Sequence, residues 1–125
     1  MSAIPSIDAT TLNDWIGRDE VLLIDVREAN EHARAHIPAA VLMPLSSIAT
    51  VELPDAGDKK IAIVCATGAR SAMAAERLFT HYYDSVYNVH GGMMGWQMAG
   101  LDTAQDETTA AAASGGMFSM FGRRG

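Results

Sequence analysis

The sequence predicts a single α/β domain built on a mostly parallel sheet. Short, β-branched apolar runs alternate along the chain with segments of helical spacing, and this alternation is typical of parallel strands connected by helices. The chain has 125 residues, of which 49% are hydrophobic and 19% are charged, which suits one core in one domain. Because sheets of this kind bind ligands at the carboxyl ends of their strands, a functional site is expected there.

Four segments are predicted to be strands. "VLLIDV" is short and almost wholly apolar, as expected for a strand covered on both faces. "IAIVC" has the strongest strand pattern, whereas "AAVLMP" is a weaker candidate that ends at a proline. "SVYNV" is the fourth predicted strand. In chain order, the predicted strands are 21–26, 39–44, 61–65 and 85–89.

Four segments between and around these strands are predicted to be helices. The first offers Thr10 or Thr11 as an N-terminal cap and Gly17 as a stop. The second carries Arg27 and Glu31 four residues apart, and the third has one apolar face at helical spacing. The fourth is rich in glycine, which weakens its helical pattern. In chain order, the predicted helices are 9–17, 27–35, 71–83 and 91–100.

The chain changes character after Asp102, where it becomes rich in Ala, Thr, Gly and Ser. We therefore predict a domain over residues 1–102 and a flexible tail over residues 103–125. The last nine residues, "MFSMFGRRG", suggest contact with a protein partner or an anionic membrane as an alternative. A disordered tail is favoured, because one short apolar element gives only marginal membrane binding.

Composition excludes several classes of function. The net charge of −6, with no visible basic patch, argues against a nucleic-acid partner. The chain contains no run of about 20 apolar residues that would span a bilayer and shows no secretory signal at its start. Its single cysteine allows no internal disulfide and no cysteine-rich metal site. We expect a cytoplasmic protein, monomeric or weakly dimeric, without a metal or an organic cofactor.

The single cysteine stands in "CATGARS", residues 65–71, where a predicted strand passes into a predicted helix. The amide groups of the turn through Gly68, the start of the helix near Ser71 and the charge of Arg70 all favour an anion. A thiolate is such an anion and is the nucleophilic form of cysteine. The alternative is that Cys65 is a small apolar residue ending a buried strand. The Gly, Arg and Ser that follow it favour the catalytic interpretation.

The length of this loop indicates which anion it suits. Four residues separate Cys65 from Arg70. Protein tyrosine phosphatases and their relatives have one residue more, which makes room for three phosphoryl oxygens. The shorter loop suits the outer sulfur of a persulfide. We therefore expect Cys65 to take a sulfur from a donor and pass it to an external nucleophile, since the chain has no second cysteine to accept it.

Three stretches resemble the single-domain rhodaneses, a family of sulfurtransferases. They are "LLIDVREANEHARAHIPAAVLMPL" (22–45), "CATGARS" (65–71) and "VYNVHGGMMGWQMAGL" (86–101). The first is similar to the family's Asp-x-Arg and His-Ile-Pro segments, the second to its active loop and the third to its closing Gly-Gly and Trp signature. The resemblance covers roughly residues 8–102 and implies a three-layer domain with a mostly parallel central sheet flanked by helices.

The resemblance also implies roles for individual residues. Cys65 corresponds to the catalytic cysteine, while Asp25 and Arg27 correspond to the family's Asp-x-Arg pair. We interpret this pair as an ion-pair network that supports the end of the first predicted strand, and His36 as a structural histidine rather than a general base. The amides that bind substrate and persulfide belong to Ala66, Thr67, Gly68, Ala69, Arg70 and Ser71.

The expected activity is transfer of a sulfane sulfur from thiosulfate or a persulfide to cyanide or a thiol. The chain departs from the family at Ala35 and Ala39, where glycine is common, and at Ala66. Family members that use thiosulfate often carry Arg or another polar residue at the position of Ala66, so we expect this chain to capture thiosulfate weakly. Two alternatives stay open: a phosphatase or arsenate reductase on the same fold, and a sulfur-carrying or partner-docking module with little turnover.

The closing segment carries a group of large apolar side chains beside two glycines. Gly91 and Gly92 are expected to form a tight turn. The large side chains are expected to pack in the core beneath the last helix; they are Met93, Met94, Trp96 and Met98.

Overall fold

The structure, a computed structural model, describes residues 4–50, 54–66 and 85–106. Within these ranges the chain forms five strands, three α-helices and one 3-10 helix. In order, they are β1 (Ser6–Ile7), α1 (Ala9–Gly17), β2 (Val21–Asp25), α2 (Ala29–Arg34), β3 (Val41–Leu42), the 3-10 helix (Leu45–Thr50), β4 (Lys60–Val64), β5 (Val86–Val89) and α3 (Gly92–Met98).

The described strands form one sheet in the order β1-β5-β4-β2-β3, and all the neighbouring pairs are parallel. The longest pairing joins β2 and β4, from Val21 opposite Lys60 to Asp25 opposite Val64. The two central strands therefore end at the same level of the sheet. The predicted α/β class with a mostly parallel sheet is confirmed, and Cys65 follows directly after the carboxyl end of β4.

Both faces of the sheet are covered by apolar side chains. In β4, Ile61 and Ile63 belong to one buried cluster together with Cys65, and Ala62 and Val64 belong to the other, as strand alternation requires. Helices α1 and α3 pack on the second cluster through Leu12, Met93 and Trp96, among others. Burial on both faces explains why β2 and β4 read as continuous apolar runs rather than alternating patterns.

Several predicted boundaries differ from those observed. Strand β1 was not predicted, because two residues are too few to show a period, and the predicted strand 39–44 is reduced to β3. The predicted cap of α1 at Thr10 or Thr11 is wrong. Asp8 caps the helix, and its carboxylate accepts a hydrogen bond of 2.8 Å from the Thr11 N–H, which lowers the pKa of Asp8.

The second and third predicted helices have different outcomes. Helix α2 begins at Ala29 rather than at residue 27, because Glu28 and Glu31 form a capping box in which each side chain accepts from the other's backbone N–H. The predicted helix 71–83 lies outside the described residues. The predicted helix 91–100 is observed as α3 with shorter ends.

The division into a domain and a tail at residue 102 stays a prediction. The described residues after it are hydrogen-bonded to the domain: the backbones of His36 and Ala104 exchange bonds of 2.9 and 2.8 Å, and the Asp106 N–H donates to the Ala33 carbonyl at 2.8 Å. Residues 107–125 lie outside the described part of the chain. Among the described residues, no helix combines the length and the apolar character needed to cross a bilayer.

Candidate active site

Cys65 lies at the carboxyl end of the central strand β4. Its side chain is fully buried and belongs to the apolar cluster that includes Ile24, Val26 and Met43. Its thiol takes no part in a disulfide. The position agrees with the expectation that a functional group would follow a strand at this edge of the sheet. Burial of the thiol is also typical of the alternative interpretation, a structural cysteine.

Helix α3 holds the backbone that follows β4. The Met93 N–H donates to the carbonyl of Cys65 at 2.8 Å, and the Met94 N–H donates to the carbonyl of Ala66 at 3.1 Å. These donors belong to the first turn of α3, whose N–H groups have no partner inside their own helix. Because the peptide group is planar and the described bonds are trans, the Ala66 N–H points away from α3.

Gly92 allows α3 to approach this backbone. Its φ is +56°, in the left-handed region that favours glycine. A Cβ built at this position would overlap the carbonyl oxygen of Cys65 and lie 2.8 Å from the carbonyl carbon and oxygen of Ala66. The predicted turn at Gly91 and Gly92 is present, with φ of +77° at Gly91. The contact of Gly92 with the cysteine backbone was not predicted from the sequence.

Asp25 and Arg27 form the predicted ion pair, and both residues are buried. The Arg27 guanidinium donates to both carboxylate oxygens, at 2.8 to 3.2 Å, and the Arg27 backbone N–H donates to Oδ1 at 3.0 Å. The same guanidinium donates to the carbonyls of Ala35 at 2.7 Å and Glu31 at 3.4 Å, at the end of α2. The pair therefore ties the end of β2 to the end of α2, as a buried charge requires.

This ion pair lies on the face of the sheet opposite to Cys65. Ile24 and Val26 share the apolar cluster with Cys65, and side chains alternate along a strand, so the Asp25 carboxylate between them points to the other side. The hydrogen bond between the two strand ends is a backbone bond, from the Val26 N–H to the Val64 carbonyl at 3.0 Å. This arrangement supports the structural interpretation of Asp25 and Arg27.

His36 is hydrogen-bonded, in agreement with a structural interpretation. Its Nδ1 donates to the His32 carbonyl at 2.7 Å, and its ring stacks on that of His32 with centroids 3.9 Å apart. The Nε2 atom of His32 is buried and has no hydrogen-bond partner. Burial, and secondly the neighbouring His36, lower the pKa of His32. His32 was not singled out from the sequence, because His36 lies beyond the end of α2 and the stacking depends on the extended backbone at Ala35.

Of the predicted loop residues after Cys65, the structure describes one. Ala66 is described and half-buried. Five predicted site residues lie outside the described residues: Thr67, Gly68, Ala69, Arg70 and Ser71. Their assignment stays a prediction. In the ranges that are described, no three His, Cys, Asp or Glu side chains come together in a way that would hold a metal ion.

The prediction that four large side chains pack beneath α3 is right for two and wrong for two. Met93 and Trp96 are buried, three residues apart on the face toward the sheet, and the Trp96 Nε1–H donates to the Asp102 carbonyl at 2.8 Å. Met94 and Met98 lie four residues apart on the opposite face and are 56% and 83% exposed. One face of α3 packs on the buried cluster of the sheet, and the other face is exposed.

Comparison with known proteins agrees with this geometry. The family model described as "Rhodanese-like domain" matches residues 8–99. A sulfurtransferase of Allochromatium vinosum is 34% identical over 107 residues, which cover 83% of this chain and 98% of that protein. An uncharacterized protein of Synechocystis sp. is 33% identical over 100 residues, and the match covers 80% of this chain but only 56% of the relative's length.

A solved structure gives the same result for the fold. The crystal structure of a rhodanese-related protein from Thermoplasma volcanium superimposes with a TM-score of 0.68 at 32% identity, and the match covers 80% of this chain and 97% of that one. The family match spans the strand ends described above, with Cys65, Asp25 and Arg27 inside it. The chain belongs to the rhodanese-like domain family.

Proposed function

We propose that this chain is a sulfurtransferase that carries a sulfane sulfur as a persulfide on Cys65. The observation that carries the proposal is the position of the chain's single cysteine, at the carboxyl end of the central strand of a rhodanese-like domain. The name of the Allochromatium vinosum relative, whose length is almost fully covered, supports the same class of reaction. The donors in question are thiosulfate and low-molecular-weight persulfides, and the acceptors are thiols and cyanide.

The reaction has two displacement steps. In the first, the Cys65 thiolate attacks the outer sulfur of the donor, and the sulfur–sulfur bond of the donor breaks. The leaving group takes the bonding electrons, as sulfite from thiosulfate or as a thiolate from a persulfide. In the second, the acceptor attacks the outer sulfur of the Cys65 persulfide. The bond to Sγ then breaks, thiocyanate or a new persulfide leaves, and the Cys65 thiolate is restored.

Both the thiolate and the persulfide carry negative charge, which the surroundings must stabilise. The Ala66 N–H is turned away from α3, and a preorganised N–H donor is the usual means of stabilising such a charge away from water. Arg70 and the amides of the predicted loop would complete this role. Ala66 itself brings no cation, so we expect a persulfide to be a better donor than thiosulfate.

A turnover assay tests this function. The purified chain is given thiosulfate or glutathione persulfide together with cyanide, and thiocyanate is measured. We expect Cys65→Ser to reduce formation to the uncatalysed rate, since it removes the nucleophile. Val86→Thr is the matched control, because it puts a hydroxyl into the same buried cluster and leaves the thiol in place. It should retain turnover.

Other outcomes of this assay would overturn the proposal. Thiocyanate formation that survives in Cys65→Ser would exclude a Cys65 persulfide as the intermediate. Hydrolysis of a phosphate ester that depends on Cys65 would assign the chain to the phosphatase alternative. A persulfide that forms on wild type but is passed on to neither cyanide nor glutathione would assign it to the sulfur-carrying alternative.

A further inference from the structure

We infer that Gly92 is a positioning residue for sulfur transfer, acting through the backbone of Cys65 and Ala66. Gly92 has no side chain to offer a substrate. Its effect is to let the first turn of α3 lie directly on the two residues that begin the active loop. This inference rests on the proposed function, because it concerns the charge that Cys65 carries during the reaction.

The contact between α3 and the loop fixes an orientation as well as a position. Two successive N–H groups, of Met93 and Met94, donate to two successive carbonyls, of Cys65 and Ala66. Two bonds to neighbouring carbonyls prevent the Cys65–Ala66 peptide from rotating about the chain direction. Since the N–H of that peptide lies opposite its carbonyl, the same two bonds hold the Ala66 N–H pointing away from the helix.

Gly92 is the described glycine that faces Cys65, and the atoms around it leave no space for a side chain. The three atoms nearest to a Cβ built there are all backbone atoms of Cys65 and Ala66, so no flexible side chain can move aside. Either the start of the loop or the start of α3 would have to shift. Gly17, Gly57 and Gly100 have nothing within 4 Å of a built Cβ, so the crowding at Gly92 is not a general property of glycines in this chain.

We expect the loop, and not the helix, to shift. Met93 and Trp96 anchor α3 in the buried cluster on the second face of the sheet, and Trp96 also donates to the Asp102 carbonyl. A methyl group at position 92 would therefore displace the Cys65 and Ala66 carbonyls and tilt the Ala66 N–H.

The test is Gly92→Ala with Gly100→Ala as its matched control. Both glycines have positive φ, +56° and +76°, so both substitutions introduce backbone strain, but only the first meets the Cys65 backbone. The measurements are kcat for thiocyanate formation and the pH dependence of Cys65 alkylation by iodoacetamide. Melting temperatures of both variants show how much each loses in stability.

For Gly92→Ala, we expect kcat to fall about tenfold or more, since losing one aligned charge-stabilising N–H costs about 100- to 1,000-fold in known cases. The pH midpoint of alkylation should move upward, because the thiolate loses a stabilising donor. Gly100→Ala should keep both properties of wild type. Equal kcat and equal alkylation midpoints in the two variants would overturn the inference, whatever their melting temperatures.

If Gly92→Ala fails to fold, Met94→Pro provides the same test. Proline removes the N–H that donates to the Ala66 carbonyl, it is tolerated in the first turn of a helix, and the side chain it replaces is exposed. Met94→Ala keeps the N–H and is the control. The alkylation midpoint should move upward in Met94→Pro and stay at the wild-type value in Met94→Ala. An unchanged midpoint in Met94→Pro would overturn the inference.

The alkylation measurement separates this inference from the proposed function. It needs no sulfur donor and reports only how well the surroundings of Cys65 stabilise a negative charge. If wild type transferred no sulfur while Gly92→Ala still shifted the alkylation midpoint, the proposed function would fail and the positioning role would stand. If wild type transferred sulfur and the alkylation midpoint of Gly92→Ala stayed at the wild-type value, the proposed function would stand and the positioning role would fail.

Discussion

The carboxyl ends of β2 and β4 lie side by side in the sheet but are held in different ways. At the end of β2, the buried side chains of Asp25 and Arg27 form an ion pair, and the Arg27 guanidinium also donates to carbonyls at the end of α2. At the end of β4, two backbone N–H groups of α3 bind the carbonyls of Cys65 and Ala66. One end is fixed by side chains and the other by main chain.

This difference suggests that the end of β2 contributes mainly to stability and the end of β4 mainly to the chemistry of Cys65. The Arg27 guanidinium donates to Asp25 and to carbonyls of its own chain, which supports its interpretation as a structural residue. The bonds that hold the backbone after β4 make no use of the Cys65 thiol. We therefore expect changes at the end of β2 to reduce stability and changes at the end of β4 to alter reactivity. Three predictions follow from this contrast, in order of expected size.

Arg27→Ala should have the largest effect, and it should be an effect on stability. Removing one partner of a buried ion pair leaves an uncompensated charge and costs about 3–5 kcal/mol in the free energy of unfolding. Urea denaturation measures the loss. Arg27→Lys is the control: it keeps the charge, cannot reproduce the bonds to both carboxylate oxygens and two carbonyls, and should lose less.

The expectation that the end of β2 serves stability would be contradicted if Arg27→Ala reduced activity without reducing stability. A variant that kept its free energy of unfolding within about 0.5 kcal/mol of wild type, the range of ordinary surface substitutions, but lost sulfur transfer would place Arg27 in the reaction. The structural interpretation of the Asp25–Arg27 pair would then be wrong.

Ala66→Arg should have an intermediate effect, and it should be an effect on reactivity. A cation placed next to Cys65 should lower the KM for thiosulfate about fivefold, which corresponds to about 1 kcal/mol of added binding to a dianion. The KM for glutathione persulfide should change less. Ala66→Gln is the uncharged control and should resemble wild type. Equal KM values for thiosulfate in the Arg and Gln variants would contradict the expectation that Ala66 limits thiosulfate capture.

The His32 and His36 pair should give the smallest effect, a dependence of stability on pH. The pKa of His32 is lowered in the fold, so the folded chain keeps this ring neutral at a pH where the unfolded chain takes up a proton. The contribution of His32 is therefore present above pH 6.5, the ordinary histidine value, and is lost as the pH falls below it. The charges that act on the ring are those of His36, Asp25, Arg27 and Asp106.

Melting temperatures between pH 8 and pH 5 measure this dependence. We expect His32→Gln to flatten the decline toward low pH relative to wild type. His90→Gln is the control, because His90 is exposed and its substitution should leave the decline unchanged. A decline of the same steepness in His32→Gln and wild type would show that His32 does not contribute to it.

The sequence predicted well those features that depend on neighbouring residues. The apolar runs of β2 and β4 were recognised within one residue at each end, because both faces of these strands are buried. The N-terminal cap of α1 was placed wrongly, since Asp8, Thr10 and Thr11 are all capping residues and only the backbone decides among them. Strand β1 was missed because two residues carry no pattern.

Features that depend on contacts between distant segments were not predictable from the pattern. The glycines at 91 and 92 indicate a turn, but nothing local shows that the second one lies against Cys65. In the same way, four apolar side chains on a short helix suggest a common core, while α3 packs only one face on the sheet, which buries Met93 and Trp96 and leaves Met94 and Met98 exposed. Neither feature can be predicted without knowing where α3 lies relative to β4.

The central claim is that Cys65 carries the transferred sulfur, and intact-mass spectrometry tests it most directly. Wild type and Cys65→Ser are measured before and after incubation with thiosulfate and with glutathione persulfide. The account predicts that wild type gains the mass of one sulfur atom, that cyanide removes it and that Cys65→Ser gains none. No gain on wild type with either donor, or an equal gain on Cys65→Ser, would contradict it.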